Sequence, residues 1–358
     1  MTQYTVGVIT NPNSRKNRNR RERPGRGGRA GTLQAIVGEG GRVLETPAPE
    51  AIAPALRAFL RAGARIWVSD GGDGALNWML RAALDVLDEP EFAGCGLPMV
   101  LPTNGGTIDF VAKTAGVVGD APRLLAALRD LVARDAPIPS VELDTLAIEG
   151  VRRTAAGEAP FRSIGFAAAA GGVGQHFFAK YYASDDPRPF DIVRVIARTL
   201  VAAPFALTPL GRLDPRLGRY AADLFEPTQA RVTVDGEVFP TTACTCIHVA
   251  SIPINLGGVV RVFRGAAEPG RLHAIYGAPT PLGIIRNLPR VVIGATPRGG
   301  GLVDGPCAEM TVEATTNEDL APVVDGEYDR GVRRVTFRLG PPVRVVRLNT
   351  VGGSRLAT

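Results

Sequence analysis

Ile66-Trp67-Val68-Ser69-Asp70-Gly71-Gly72-Asp73-Gly74 is an apolar strand that runs straight into three glycines and an acid, after which residues 75–87 take helical spacing. This is the architecture of a phosphate cradle. Glycines let backbone N–H groups approach an anion with no Cβ in the way, and the following helix aims the positive end of its dipole at the same place. An acidic side chain at Asp73 points to a metal ion sharing the phosphates. Asp and Gly are also ordinary turn residues, so the stretch alone equally describes a tight strand-to-helix turn.

Working outward, short apolar runs alternate with helical segments up to about residue 140. Strands are expected over 5–10, 42–45, 65–69 and 97–101, with helices over 49–61 and 76–87. Such alternation implies an open, mostly parallel α/β sheet with helices on both faces, in which ligands gather at the carboxyl ends of the strands. Three loops at those ends carry turn and phosphate chemistry: Asn11-Pro12-Asn13-Ser14, Gly71–Gly74, and 103–107 with Gly105, Gly106 and Thr107. Their coincidence on one edge reads as one site. From residue 141 the pattern is mostly β, with runs at 141–148, 161–168, 231–239, 245–251, 259–263, 272–276, 310–314, 332–339 and 343–348, interrupted by a helical insert over about 173–204. The expected organisation is therefore an α/β domain over 1–140 and a mainly antiparallel β-sandwich domain over 141–358, whose last strands could return to the first.

Composition narrows the classes. With 358 residues, 45% of them hydrophobic, the chain can furnish the cores of about two domains. The formal charge of +6 is unevenly placed, for Arg15, Lys16, Arg18, Arg20, Arg21, Arg23, Arg26 and Arg29 crowd one segment against Glu22 alone. Such a run attracts nucleotide phosphates or an anionic bilayer surface, or is simply a solvated loop. No aromatic residue interleaves with it, and no nucleic-acid partner is expected. The four cysteines form no disulfide framework, which fits a reducing, cytoplasmic setting, with contact at the inner face of the membrane left open. The three histidines are scattered, and Cys244 and Cys246 have alternate-residue strand spacing rather than that of a zinc knuckle. The nearest approach to a membrane span, 192–210, is interrupted by Arg194 and Arg198 and is expected to break at Pro204 and Pro209.

Asn11-Pro12-x-Ser14, Gly71-Gly72-Asp73-Gly74 with Leu76-Asn77, Gly105-Gly106-Thr107-Ile108-Asp109-Phe110, Asp144 and the late Asp325-Gly326-Glu327 fall in an order that resembles the diacylglycerol kinase catalytic family, within a superfamily shared with NAD kinases. The resemblance spans nearly the whole chain. It implies an ATP- and Mg2+-dependent kinase that phosphorylates a lipid hydroxyl at the membrane surface, with the nucleotide between the two domains; a homodimer is compatible with it. Asn11, Ser14, Thr46, Asp70, Gly71, Gly72, Asp73, Gly74, Asn77, Gly105, Gly106 and Thr107 would hold ATP. Asp325 would be the general base with Glu327 beside it, and Asp73, Asp144 and Asp325 would organise Mg2+ through water. Val234-Asp235-Gly236-Glu237 echoes Val324-Asp325-Gly326-Glu327, and Asp-Gly between β-branched residues is first of all a hairpin turn.

The chain also departs from that family. Ala75 stands for a usual Thr, Trp78 for an acid, Ile108 for Asn and Arg15 for Gly; Thr103-Asn104 precedes the glycines as an added residue, and Glu268-Pro269-Gly270-Arg271-Leu272-His273 replaces an acidic, metal-holding stretch. These changes leave two other readings open: a kinase of NAD or another soluble metabolite, and a nucleotide-binding regulatory protein with little transfer activity.

Overall fold

The computed structural model describes residues 5–14, 17, 28–184, 187–256 and 259–350. The chain divides into two compact units, one of Met1–Leu143 with Pro342–Thr358 and one of Asp144–Pro341. Most of the basic run, Arg15, Lys16 and 18–27, lies outside the described residues.

In the first unit β1 (Val6–Thr10), α1 (Gly28–Val37), β2 (Gly41–Glu45), α2 (Ile52–Arg61), β3 (Ile66–Asp70), α3 (Asp73–Leu87), β4 (Met99–Pro102), α4 (Phe110–Thr114), α5 (Ala121–Ala133) and β5 (Ser140–Leu143) follow in order. The strand Val343–Val346 completes the sheet, in the order β2, β1, β3, β4, Val343–Val346, β5. All neighbours are parallel until β5, which runs antiparallel to the last strand. Every residue of β1 and β3 is buried, so these strands are apolar without alternation, as a sheet covered on both faces requires. Helix α1 packs with α5, and α2 with α3. Phe59 of α2 lies so close over Gly7 that a Cβ there would sit 2.4 Å from its ring.

The second unit contains β6 (Leu146–Thr154), β7 (Gly157–Gly165), β8 (Ala167–Gly172), α6 (Val173–Tyr182), α7 (Pro189–Leu207), α8 (Pro215–Phe225), β9 (Thr228–Val234), β10 (Glu237–Val238), β11 (Ala243–Cys244), β12 (Cys246–Ala250), β13 (Ile254–Leu256), β14 (Val260–Val262), β15 (Leu272–Gly277), α9 (Pro281–Val292), β16 (Leu302–Cys307), β17 (Glu309–Ala314), β18 (Val323–Val324), β19 (Glu327–Tyr328) and β20 (Val332–Leu339). One sheet runs β10, β9, β17, β20, β6, β7; the other runs β16, β15, β12, β8, β18, β19. Ile148, Val232, Val312 and Phe337 of the first share one core with Ala170, Val249, Leu272 and Ala274 of the second. Two antiparallel sheets closing on one core are the β-sandwich expected from the strand run. The unit's two ends are pinched together, since Gly340 N donates to Thr145 O at 2.8 Å and Thr145 Oγ1 to Pro341 O at 2.7 Å.

Pro204 does not break its helix. Helix α7 continues to Leu207, because in the last turn a missing amide costs a single bond, and the Pro204 carbonyl takes both the amide and the hydroxyl of Thr208. Helices α1, α5, α8 and α9 stand outside the helical segments expected from the sequence.

Candidate functional site

Strands β1 and β3 end level, Thr10 opposite Asp70, and β3 and β4 pair Ser69 with Pro102, so the loops after β1, β3 and β4 leave one edge together. Gly105 N donates to Gly71 O at 2.8 Å. A Cβ on Gly72 would lie 2.6 Å from Gly106 Cα, and one on Gly105 2.7 Å from Gly71 O. The glycines therefore do more than open the loops to a ligand: the two backbones touch, and no side chain fits between them. Gly72 is also the N-cap of α3 and, being glycine, offers no capping side chain to its first turn. Ala75 sits beneath this turn, its Cβ 2.4 Å from where a Gly71 Cβ would be.

Acidic side chains tie the loops together. Asp73 accepts the amides of Phe110 (3.1 Å) and Val111 (3.2 Å), and so holds the start of α4 against α3. Asp109, in left-handed conformation, accepts the Gly106 amide at 2.8 Å. Asp70, with 1% of its surface exposed, is the hub. Arg29 Nε and Nη2 each reach it at 2.6 Å, Thr10 Oγ1 at 2.6 Å, Thr103 Oγ1 at 3.0 Å and Asn17 Nδ2 at 3.3 Å. A bidentate guanidinium on a buried carboxylate is a strong, oriented pair. Thus the described arginine of the basic run, Arg29, is spent on structure, and so is the added residue Thr103. The sequence pattern groups Asp70 with the nucleotide ligands, but its side-chain partners lie 33 to 60 residues away, where no local pattern reports them.

The first loop approaches the same edge. Asn11 N donates to Asp70 O at 3.2 Å and Asn11 Oδ1 accepts the Asn13 amide at 2.9 Å, while Thr46 N donates to Thr10 O at 3.0 Å. Ser14 Oγ is buried with no hydrogen-bond partner among the described residues, and Asn77 is fully buried in α3. Trp78 carries the Arg81 guanidinium over its ring at 5.2 Å.

The remaining sequence-derived positions belong to the second unit. Asp325 and Gly326 both have positive φ (50° and 94°), as does the pair Asp235 (50°) and Gly236 (86°), and each pair turns a two-residue hairpin. The likeness extends to function within the fold. Asp325 accepts the amides of Phe166 (3.0 Å) and Ala167 (2.9 Å), and Asp235 those of Ala308 and Glu309 (both 2.8 Å). They differ in burial, for Asp325 is buried and Asp235 exposed. Glu327 is half-buried. Asp144 Oδ2 accepts the Gly270 amide at 2.6 Å, within the stretch that departs from the family, and Ser251 Oγ donates to Asp144 O at 2.7 Å. Since Ser251 N donates to Phe166 O at 2.9 Å, Asp144 and Asp325 are joined through Ser251 and Phe166. Among the described residues no three acids, histidines or cysteines gather as a preformed metal cage.

His248 Nε2 accepts the Gly174 amide at 3.2 Å, and burial pushes its imidazole down to about 4, so the ring is neutral at neutral pH. Burial raises the Cys244 thiol to about 11 and those of Cys246 and Cys307 to about 12, which leaves all three inert. His273 is held between the Gly265 amide and Asp304 and packs edge-on against Phe263.

The fold and this loop edge define an α/β unit with a glycine-lined strand edge, joined to a β-sandwich. No family model and no curated protein matches the sequence. Solved structures do share the architecture: two from Bacillus anthracis str. Sterne, provisionally named as diacylglycerol kinases, align with TM-scores of 0.58 and 0.57 at 12% and 13% identity. Each alignment covers 97% of this chain and 98% of the other. A third, described as a diacylglycerol kinase of the same organism, aligns at 0.52 with 11% identity over 97% of both chains. At these identities the likeness is one of fold.

Proposed function

We propose that the chain is an ATP-dependent phosphotransferase whose acceptor is the hydroxyl of a lipid, with Mg2+ carried in on the nucleotide. The observation that carries the reading is the contact between the two glycine loops at the N-terminus of α3, where the N-cap Gly72 and the facing Gly105 and Gly106 put no side chain beside the positive end of the helix dipole. Phosphate oxygens are the acceptors such an edge takes best. The buried, unpartnered Ser14 Oγ adds a hydroxyl at the neighbouring loop, and Asn11, Thr46, Asn77 and Thr107 would complete the nucleotide contacts. Mg2+ keeps most of its waters and uses one or two carboxylates beside the phosphates, so it needs no preformed cage. Asp73 in the first turn of α3 is the carboxylate that would serve it, with Asp144 as a further acid.

In the transfer, the acceptor oxygen forms a bond to the γ-phosphorus as the β–γ bridging bond breaks and ADP leaves, and the hydroxyl proton passes to a carboxylate. Asp325 is the base in this reading, accompanied by Glu327. The amides of Phe166 and Ala167 fix its direction. Asp325→Asn and Asp235→Asn provide the test, because both remove an aspartate that holds two amides in the same kind of hairpin. Both variants should fold, since the asparagine Oδ1 still accepts an amide, and Asp325→Asn alone should lose most turnover of labelled ATP into a bacterial lipid extract. Equal turnover in the two variants would refute the assignment of the base. Label in a soluble metabolite such as NAD, with none in lipid, would refute the lipid acceptor. The engagement of Asp73 and Asp325 by backbone amides favours a second reading, a nucleotide-binding protein without efficient transfer; ATP binding with no product from either pool is its signature.

A further inference from the structure

Phosphoryl transfer makes no use of the outer face of the helical insert. Helix α7 turns Ile192, Val195, Thr199, Ala202 and Ala203 inward. By the 3.6-residue period the opposite face carries Phe190, Val193, Leu200, Val201 and Leu207, which are 70%, 38%, 42%, 62% and 44% exposed. A solvated helix would place polar side chains there. Its arginines, Arg194 and Arg198, stand along one flank of the stripe, and Arg198 is braced over the Tyr220 ring at 4.2 Å. Beyond the helix, Leu213 is 78% exposed next to Arg212, and α8 adds exposed Arg216 and Arg219.

Residues 188–226 hold six arginines against four acids. Three of those acids are engaged: Asp191 accepts the Arg188 amide and lies 3.9 Å from the exposed Arg194, Asp214 caps α8, and Asp223 pairs with Lys180 at 3.6 Å. The face is thus apolar at its centre and basic at its rim. Among the described residues no helix is long and apolar enough to cross a membrane.

We propose that α7 lies in the headgroup plane of an anionic bilayer, with the Phe190–Leu207 stripe inserted and Arg194 and Arg212 on lipid phosphates. Charge selects this occupant. A second copy would bring a second basic rim against the first, whereas an anionic bilayer neutralises the arginines present. The proposal stands whether or not the acceptor of phosphate is a lipid.

Flotation of the full chain, without nucleotide, with vesicles of phosphatidylcholine alone or with about 30 mol% phosphatidylglycerol tests it. Binding should require the anionic lipid and weaken with salt. The triple variant Phe190→Ser/Leu200→Ser/Val201→Ser should partition at least about tenfold less, with no fall in unfolding temperature, since all three side chains are exposed. Equal binding of the variant, no flotation with either vesicle, or a wild-type dimer that the variant dissociates in sedimentation would each overturn it. ATP binding by the same variant, measured in parallel, should be unchanged, so that failure of this surface is distinguishable from failure of the phosphotransfer reading.

Discussion

Replacing Gly72 by Ala isolates the contact between the two glycine loops. Gly72 has φ −94° and ψ −168°, a conformation open to any L residue. In open space the change would stabilise the fold by about 0.4–1 kcal/mol, by restricting the unfolded chain. Here the new Cβ would lie 2.6 Å from Gly106 Cα and 3.2 Å from Gly106 N, while carbon atoms rest at about 3.5–4.0 Å. The 105–107 loop must retreat by about 1 Å, yet it is pinned by Gly105 N on Gly71 O and by Gly106 N on Asp109, each at 2.8 Å. Overpacking of this kind costs about 1–3 kcal/mol, which leaves a net loss of up to about 2.5 kcal/mol. Loss of one charge-assisted amide contact to phosphate, at about 1.5–3 kcal/mol, should weaken ATP binding about tenfold or more. Thermal unfolding and titration calorimetry with MgATP measure the two effects. Gly96→Ala, whose Cβ meets nothing within 4 Å, is the control. If Gly72→Ala matched Gly96→Ala in stability and kept its ATP affinity, the loop contact would have no bearing on the site. Gly72→Ala combined with Gly106→Ala should cost less than the two singly, since loops already parted accept the second methyl.

Two further expectations concern buried charge. Asp70→Asn leaves the Arg29 guanidinium, 12% exposed, without its carboxylate and should cost about 3–5 kcal/mol in urea unfolding, whereas Asp70→Asn/Arg29→Met should recover much of that loss. His248 stays neutral in the fold down to about pH 4, while in the unfolded chain it takes a proton below its ordinary value of 6.5. Its contribution is therefore complete above about pH 6.5 and is lost as the pH falls towards 4, by about 3 kcal/mol in all; His248→Gln should flatten the stability profile across that window.

Much of the architecture was legible in local pattern. The continuous apolar runs of β1 and β3 announced a sheet covered on both faces, and the glycine loops announced the edge at which they meet, because both signals are written in adjacent residues. The distribution of polar work was not. Asp70, Asp73 and Asp325 read alike as acids in turn contexts, and only the fold shows that the first is paired with Arg29 while the others accept backbone amides. Those bonds join residues 37 to 159 positions apart. Pro204 misled for the opposite reason: the rule that proline ends helices is local, and a position in the last turn relaxes it.

The strand Val343–Val346 lies between β4 and β5, so the first unit is built from both ends of the chain and the second is an insertion within it. During synthesis the insertion is complete before the unit that receives it, and its pinched ends at Thr145 and Gly340 allow it to close by itself. The edge proposed to bind nucleotide then matures after the insertion, when Val343–Val346 emerges and joins β4 to β5. A chain cut short after residue 341 would keep every glycine of the cradle and lack the strand that unites its sheet.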